Sequence, residues 1–259
     1  MSLYVRGGMD AFTKSLIEFR RGIPEAQRPS WLRTTTITLT AKIAGVTFDH
    51  DKIHSIFKKF RKGIPVYYGT IKKPFMWRMF YSDFYNQLSI GYTDLLSTKK
   101  VKLFPNGSMQ IAGCADVADC KRFIAQLVHL IKLFYKIDVS PDAFQIVMYN
   151  GYFSLNHTVD VYSLIEKLET QGFTYNYDPD RYAAVKVKID TGRSTKVTVS
   201  IFVSGSVLIT GTKSQSEAFD VYKKIVNLCS DVLLEPNDMS EKFNVHLGYT
   251  IQQWEEVHH

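Results

Sequence analysis

The sequence predicts an α+β protein made of two similar halves, and three features of the chain indicate this class. Residues 197–211 read VTVSIFVSGSVLITG, two arms rich in Val, Ile, Thr and Phe around a Ser204-Gly205 turn. β-Branched and aromatic residues suit pleated strands, and glycine supplies the positive φ that a tight hairpin turn needs. An amphipathic helix is predicted next, over residues 213–229, and the whole strand-turn-strand-helix unit occurs twice.

The predicted helix begins at a capping box, in which Ser214 and Glu217 have the S-x-x-E spacing. In such a box the serine and glutamate side chains accept hydrogen bonds from backbone N–H groups of the first turn. Apolar residues then recur at helical spacing and predict one buried face, which holds Ala218, Tyr222, Ile225, Cys229 and Val232.

The earlier copy of this unit lies 98 residues upstream. Residues 101–113 read VKLFPNGSMQIAG, and the apolar-periodic segment 118–134 follows them. The two copies align without a gap over residues 99–131 and share phenylalanine, glycine, serine and isoleucine at matched positions. An ungapped match of this length indicates internal duplication.

Length and composition agree with a duplicated globular protein. The chain has 259 residues, enough for two units of roughly 100 residues each, with 45% hydrophobic and 22% charged residues. It has no run of about 18 apolar residues and no visible secretory signal. The formal net charge of +7 favours an anionic partner. Three cysteines without CxxC spacing, Cys114, Cys120 and Cys229, are typical of an intracellular protein with reduced thiols.

Four segments are predicted along the chain: an extension over residues 1–33, repeats over residues 34–137 and 138–235, and a second extension over residues 236–259. A helix from Asp10 to Arg21 is predicted in the first extension. Its basic end fits either an arm that touches a partner or, as we prefer, a solvated helix packed on an edge.

Each repeat is predicted to open with a strand and a short helix. The strands are residues 34–48 and 144–155, and the helices are residues 49–60 and 157–168. The offset between the repeats falls from 107 to 98 after these helices, so the first repeat carries about ten additional residues.

These additional residues predict an insert over residues 58–82 that bulges from the first repeat. It holds seven Lys or Arg residues and no Asp or Glu. Basic residues attract phosphates and aromatic rings stack on bases, which favours contact with nucleic acid. A lysine-rich loop whose aromatic residues pack on the sheet fits equally well; these residues are Tyr67, Tyr68, Phe75, Trp77, Phe80 and Tyr81.

No catalytic motif is recognisable, and we predict a protein that is not an enzyme and binds no cofactor. The chain lacks a Walker loop, GxSxG, HExxH and paired cysteines. His50 and His54 have the spacing of metal ligands on a helix, but no third ligand follows at a recognisable spacing, which favours a solvated helix start.

Two segments of the second repeat resemble a known family. Residues 177–185 read YDPDRYAAV, similar to the family motif YNPKRFAAV, and residues 201–211 read IFVSGSVLITG, close to IFVSGKVVLTG. These motifs are those of the TATA-box-binding protein family. The resemblance covers residues 34–234 and is stronger in the second half. The low identity, inserts and tails resemble divergent members from large DNA viruses.

The resemblance implies a saddle, in which two pseudo-symmetric repeats form one curved antiparallel sheet with helices on its convex face. It also implies that the concave face binds the DNA minor groove and inserts aromatic wedges between base steps. Carried over by position, the wedges are Phe202 and Tyr182 in the second repeat, and the internal repeat maps them onto Phe104 and Phe84.

The resemblance implies further DNA contacts on both repeats. These residues are Lys102, Gln110 and Ala112 in the first repeat and Lys188, Ser200, Leu208, Thr210 and Lys213 in the second. Ser108 and Ser206 stand where the family has lysine, and Met148 stands where it has an asparagine that reads the groove. A groove floor of mixed polarity is expected to read A·T sequence poorly, because the information in the minor groove is degenerate.

The implied function is that of a transcription initiation factor that binds promoter DNA and recruits a TFIIB-type factor and RNA polymerase. Asp178 and Asp180 resemble the acidic turn with which the family docks the TFIIB-type factor. A protein-interaction scaffold in a viral transcription complex, with weak or non-specific DNA binding, is the alternative. The expected location is intracellular: the host nucleus, or a cytoplasmic viral factory if the protein is viral.

Overall fold

The computed structural model describes residues 11–43, 45–59, 64–66, 75–80, 86–93, 98–136 and 144–237. The chain divides into two compact units. Residues 34–149 form the first-repeat unit, and residues 1–33 together with 150–259 form the second-repeat unit. Among the described residues, no helix is long and apolar enough to cross a membrane.

Five α-helices and thirteen strands make up the described part of the chain. The helices are α1 Ala11–Arg21, α2 His50–Lys59, α3 Val117–Tyr135, α4 Val161–Thr170 and α5 Gln215–Cys229. The strands are β1 Arg33–Lys42, β2 Ile64–Val66, β3 Phe75–Phe80, β4 Leu88–Thr93, β5 Thr98–Leu103, β6 Ser108–Cys114, β7 Gln145–Ser154, β8 His157–Val159, β9 Thr174–Asp178, β10 Tyr182–Ile189, β11 Val197–Phe202, β12 Ser206–Thr212 and β13 Leu233–Pro236.

The sheet of the first-repeat unit has the strand order β2-β3-β4-β5-β6-β1, with antiparallel neighbours. Successive side chains of a strand point to opposite faces, so one face of each strand meets the core and the other, here called the outer face, points away from it. On β5, Val101 and Leu103 are buried in the core of this unit, while Lys100 and Lys102 are exposed on the outer face.

The second-repeat unit, which includes β7 from Asn150 onward, has the order β7-β12-β11-β10-β9 and a core of its own. β11 pairs with β12 so that Thr198 faces Thr210. In the first-repeat unit, Lys100 faces Ala112 in the same way. Both residues of the pair are shifted by 98 positions, so the strand register follows the offset seen in the sequence.

Helices α3 and α5 begin with the same arrangement of acidic and capping side chains. Ser214 Oγ accepts a hydrogen bond from the Glu217 N–H, and Asp116 Oδ1 accepts one from the Asp119 N–H. The Asp119 and Glu217 carboxylates also accept an N–H from the residue preceding each cap. The capping box predicted for α5 is therefore confirmed, and α3 carries its acidic equivalent.

Different cations neutralise these two acidic side chains. The Lys99 ammonium lies 2.9 Å from the Asp119 carboxylate, and both side chains are almost fully buried. Glu217 instead pairs with Arg193, which comes from the connection between β10 and β11. Burial by itself raises the pKa of Glu217, but hydrogen bonds from Thr191, from the Lys213 N–H and from Arg193 outweigh it and lower the pKa.

The amino-terminal extension packs on the second-repeat unit. Phe12 and Phe19 contact the Phe219 ring of α5 edge to face, at centroid distances of 5.8 and 6.0 Å. The Ser30 carbonyl accepts a hydrogen bond from the Tyr222 hydroxyl, and Ser30 also exchanges hydrogen bonds with Ser154. The predicted helix is thus present, and it belongs to the core of this unit.

Two predicted elements differ from the structure. The first strand ends at Lys42, well before residue 48. Residues 157–159 form β8, which pairs with β13, so the helix begins only at Val161 behind the Asp160 cap. β8 escaped prediction because its partner strand lies more than 70 residues away.

The insert predicted to bulge from the first repeat contributes strands where it is described. β2 and β3 extend the sheet, and Trp77 packs in the core against Tyr92 and Phe123 at 4.7 and 5.6 Å. Trp77 is therefore a core residue and not a base-stacking one. Residues 60–63, 67–74 and 81–82 lie outside the described residues.

Candidate nucleic-acid interface

The outer face of the second-repeat unit carries a row of four side chains across four strands, three of them polar. Lys186 lies opposite Asn176 on one side and opposite Ser200 on the other, and Ser200 lies opposite Leu208. Of these four, Ser200 is only 7% exposed, so it contributes little accessible surface. The next row contains Thr174, Lys188, Thr198 and Thr210.

Hydrogen bonds hold the second row in place. The Lys188 ammonium donates to the Thr198 hydroxyl at 2.7 Å, and the Thr210 hydroxyl donates to the Thr198 carbonyl at 3.1 Å. Four of the predicted contact residues, Lys188, Ser200, Leu208 and Thr210, are thus neighbours on one face. Sequence reasoning missed Lys186 and Thr198, although their alternation with buried valines could have revealed both.

An aromatic pair ends this face beside the hairpin turn. The Tyr182 and Phe202 rings meet edge to face, with centroids 5.7 Å apart, and the Lys186 ammonium lies 4.1 Å from the Tyr182 centroid. Tyr182 is 37% exposed and Phe202 is half-buried. The structure therefore brings together the two wedge residues predicted for this repeat.

The turn after Phe202 fixes the position of the Phe202 ring, which contacts Tyr182. Gly205 has φ +75°, and a Cβ there would lie 1.9 Å from the His157 carbonyl oxygen, so only glycine fits. The Gly205 N–H donates to the Phe202 carbonyl, and the Gly205 carbonyl accepts the Leu155 N–H. The turn is thereby held against the segment that follows β7.

The first-repeat unit has a matching face and turn. Lys102 lies opposite Gln110, and Lys100 lies opposite Ala112, all four being outward and exposed. Phe104 is half-buried just before the turn. The Gly107 N–H donates to the Phe104 carbonyl as Gly205 does to Phe202, and Gly107 has φ +81°.

The lysines of the two units stand on different strands. Lys100 and Lys102 belong to β5, whose equivalent β11 carries Thr198 and Ser200 at those places. Lys186 and Lys188 belong to β10, whose equivalent β4 carries Ser89 and Gly91. Each cross-strand row therefore contains one lysine from these two strands in both units. The lysine lies on β5 in the first-repeat unit and on β10 in the second-repeat unit.

Phe84 lies outside the described residues, and its wedge role stays a prediction. Leu88 pairs with Leu103 as Val185 pairs with Ile201, which gives an offset of 97 for this strand instead of 98. Extended along the sequence, that offset matches Tyr182 with Tyr85.

Lys213 does not lie on the outer face. It follows β12, and its N–H donates to Glu217 at the start of α5. There it lines an open cleft of about 780 Å³ together with Arg193, Glu217 and Lys223. The Arg193 guanidinium is occupied by Glu217, Thr191 and the Gly211 carbonyl.

The predicted acidic turn is exposed at the far edge of the sheet. Asp178 pairs with Tyr182 across the turn, and its carboxylate lies 3.4 Å from Arg181 Nε. Asp180 is exposed at the tip of the turn. No group of three or more potential metal ligands converges within the described ranges.

Antiparallel strands, the helices packed against them and two equivalent hairpins define a duplicated α+β protein, and comparison with known proteins shows which family it resembles. The family model for transcription factor TFIID, or TATA-binding protein, matches residues 143–232. A TATA-box-binding protein-like protein of Acanthamoeba polyphaga mimivirus is 24% identical over 254 residues, covering 82% of this chain and 68% of the relative. The TATA-box-binding protein of Aeropyrum pernix is 30% identical over 131 residues, covering 48% of this chain and 58% of that protein.

A solved structure shares the fold. Methanococcus jannaschii TBP matches with a TM-score of 0.55 and 19% identity, covering 78% of this chain and 99% of the other. This match confirms the α+β fold predicted from the sequence. The resemblance to the TATA-box-binding protein family that the sequence predicts, including its members from large DNA viruses, is confirmed.

Proposed function

We propose that the chain is a transcription initiation factor that binds promoter DNA in the minor groove and recruits a TFIIB-type factor and RNA polymerase. One observation carries the proposal. Phe104 and Phe202 occupy equivalent sites in the two units. Each ring follows a strand that carries lysine or hydroxyl side chains on its outer face, and each precedes an equivalent glycine turn. Each unit thus ends its outer face in a ring that is accessible to a ligand.

Partly accessible rings at these sites are suited to act as wedges. Unstacking a base step costs on the order of a few kcal/mol, and an inserted apolar ring offsets that cost. Phe202 has Tyr182 as its neighbour, so in the second-repeat unit two rings act together. The Tyr182 hydroxyl then needs a hydrogen-bond partner within the opened step, such as a base edge or bound water.

The side chains on the outer faces of the two units support a weak preference for DNA sequence. Lys100, Lys102 and Gln110 place two cations and an amide on the outer face of the first-repeat unit. Lys186 and Lys188 place two cations on the outer face of the second-repeat unit. Lysines bind phosphates and groove acceptors of any sequence, and minor-groove acceptors distinguish A·T from T·A poorly. We therefore expect duplexes in which A·T pairs are exchanged for T·A pairs to bind with similar affinity.

Duplex bending tests the wedge role directly. End-to-end fluorescence transfer on a labelled duplex should report reduced bending for Phe104→Ala and Phe202→Ala and least bending for the double variant. Because the rings are half-buried, each change should cost less than the 3–5 kcal/mol typical of a core phenylalanine. Tyr162→Ala is the matched control, since Tyr162 is an aromatic residue of α4 that is 81% exposed. Native-like melting with unchanged bending in the double variant would reject the proposal.

The acidic turn supports recruitment of a TFIIB-type factor. Asp178 and Asp180 stand where the family presents acidic residues to this partner, and Asp180 is exposed. Changing both to lysine should weaken factor binding, while duplex affinity stays equal or rises because two cations are gained. Equal loss of both activities would give the turn a structural role.

The polar floor and the exposed acidic turn also favour a second function, that of a protein-interaction scaffold. A scaffold retains factor binding without bending DNA. The pair of assays separates the two functions, because wild-type protein that binds the factor and leaves duplex DNA unbent acts as a scaffold.

A further inference from the structure

We propose that the outer face of the first-repeat unit also binds single-stranded nucleic acid, with an unpaired base stacked on Phe80 and the adjoining phosphates held by Lys100 and Lys102. The proposal goes beyond duplex binding, because it adds a second class of ligand and a residue that has no part in the wedges. It concerns the described strands β3–β6.

Phe80 is presented on the outer face of the sheet. It lies opposite Ser89 on β4, and 37% of its surface is exposed, which is unusual for a phenylalanine. Trp77 on the same strand points the other way and is 1% exposed. The strand therefore buries one large ring and offers another to solvent.

Gly91 makes room for this ring. A Cβ at residue 91 would lie 2.1 Å from Phe80 Cε2, so any side chain there would displace the phenylalanine. Glycine inside a strand weakens it, and such a residue often marks close approach of another group. Here the group is the Phe80 ring, which is supported from below by the β4 backbone.

Cations surround the ring. The Lys100 ammonium lies 5.1 Å from the ring centroid, Lys102 lies opposite Ser89, and Arg78 lies opposite Gly91. The described outward positions of β3–β6 carry no carboxylate. An antiparallel sheet that combines exposed aromatic rings with flanking cations has the composition of a single-strand binding platform, because every base has a π-face and every linkage has a phosphate.

The second-repeat unit lacks this platform. Asn176 occupies the place of Phe80, since it lies opposite Lys186 as Phe80 lies opposite Ser89. Lys188 stands where the first-repeat unit has Gly91 and donates to Thr198. The proposed site is therefore specific to the first-repeat unit and is not required by the pseudo-symmetry of the duplex contact.

Binding of a fluorescent 12-residue oligothymidylate to the full chain, followed by anisotropy at low salt, tests the proposal. Phe80→Leu keeps an apolar side chain over Gly91 but removes the aromatic face. We expect it to weaken oligonucleotide binding about ten-fold, in the range typical of removing one base–aromatic stack, whereas Phe80→Tyr stays within about two-fold of wild type. Lys100→Gln should flatten the dependence of log K on log salt by about 0.7, the value for one phosphate of a single strand.

Tyr162→Ala serves as the control for removing an exposed aromatic residue elsewhere, and it should bind as wild type does. Oligothymidylate affinity that is undetectable, or equal in Phe80→Leu and wild type, would overturn the proposal. Equal weakening of oligonucleotide and duplex by Phe80→Leu would overturn it as well, because Phe80 would then be a duplex contact. Duplex bending by Phe104→Ala and Phe202→Ala is measured separately, so failure of the wedge role and failure of this site remain distinguishable.

Discussion

At the scale of single residues, Lys99 is a charged side chain that is fully buried in an apolar core. It points into the core of the first-repeat unit, where the equivalent residue of the second repeat is Val197, and it forms a buried ion pair with Asp119. Burial of two charges is costly unless they are paired. Among the described residues, removing Lys99 leaves the buried Asp119 carboxylate with only the largely exposed Arg122, at 3.4 Å, as a cationic partner. We expect Lys99→Val to lower the free energy of unfolding by about 3–5 kcal/mol, measured by urea denaturation.

The double variant Lys99→Val/Asp119→Asn is the matched control. Asparagine removes the charge while its side-chain oxygen still accepts the Ala115 N–H, which Asp119 binds at 2.9 Å. Most of the stability should therefore return. If the double variant is less stable than Lys99→Val, the lysine stabilises the unit by packing and not by charge.

Glu217 gives a second prediction at this scale, on pH. Hydrogen bonds from Thr191, Lys213 N–H and Arg193 outweigh the effect of burial and hold its pKa below the ordinary value of 4.5. A lowered folded-state pKa adds stability that is fully present above 4.5 and is lost as the pH falls through the folded pKa. Glu217→Gln should thus be less stable than wild type at pH 7, and the difference should shrink below pH 4.5. A difference independent of pH would contradict this.

At the scale of elements, α1 is an added helix that completes the core around α5. Phe219, which α1 covers, corresponds at the 98-residue offset to the exposed Lys121 of α3. Deleting residues 1–33 would expose an apolar face that α3 does not possess. Hydrogen exchange should then show faster exchange in α5 with α3 unchanged, because weaker packing lowers the local opening free energy. Equal exchange of α5 in both proteins would mean that the extension only lies on the surface.

The elements also separate what sequence reasoning can predict from what it cannot. The hairpins and α5 follow from local periodicity, turn glycines and the Ser214 cap, and all of these are short-range features. β8 and the docking of α1 depend on partners far along the chain, so no local pattern shows them. Trp77 in the insert illustrates the same limit, because composition does not tell a stacking ring from a core ring.

The candidate interface was predictable only in part for a related reason. Resemblance to a family assigns roles to residues by their position in the sequence, and it led to Phe202, Tyr182 and Thr210 on one face. It did not lead to Lys186, whose exposure depends on the pairing register, and Phe80 was named only as one of several aromatic residues of the insert. Lys213 illustrates the converse, a position that matched by sequence and lies beside α5.

At the scale of the whole molecule, the positive charge is carried by one unit. Residues 34–149 contain sixteen Lys and Arg against eight Asp and Glu, whereas the remaining residues contain sixteen against seventeen. A concentrated charge accelerates association with nucleic acid and makes binding depend on salt. The first-repeat unit should therefore dominate the electrostatic part of DNA binding.

Two double neutralisations in this unit distinguish direct contact from long-range attraction. Lys100→Gln/Lys102→Gln removes cations from the outer face, and Lys58→Gln/Lys59→Gln removes the same charge from the end of α2, whose Ile53 and Phe57 pack on the opposite, core side of the sheet. For duplex DNA, the first pair should flatten the slope of log K against log salt by about 0.9 for each phosphate that is no longer neutralised. The second pair should leave the slope nearly unchanged and only slow association at low salt, because charges beyond a Debye length of about 10 Å are screened at moderate salt. Stopped-flow association rates and equilibrium titrations at several salt concentrations measure both quantities. A slope flattened equally by both pairs would mean that DNA also touches the α2 side of the unit.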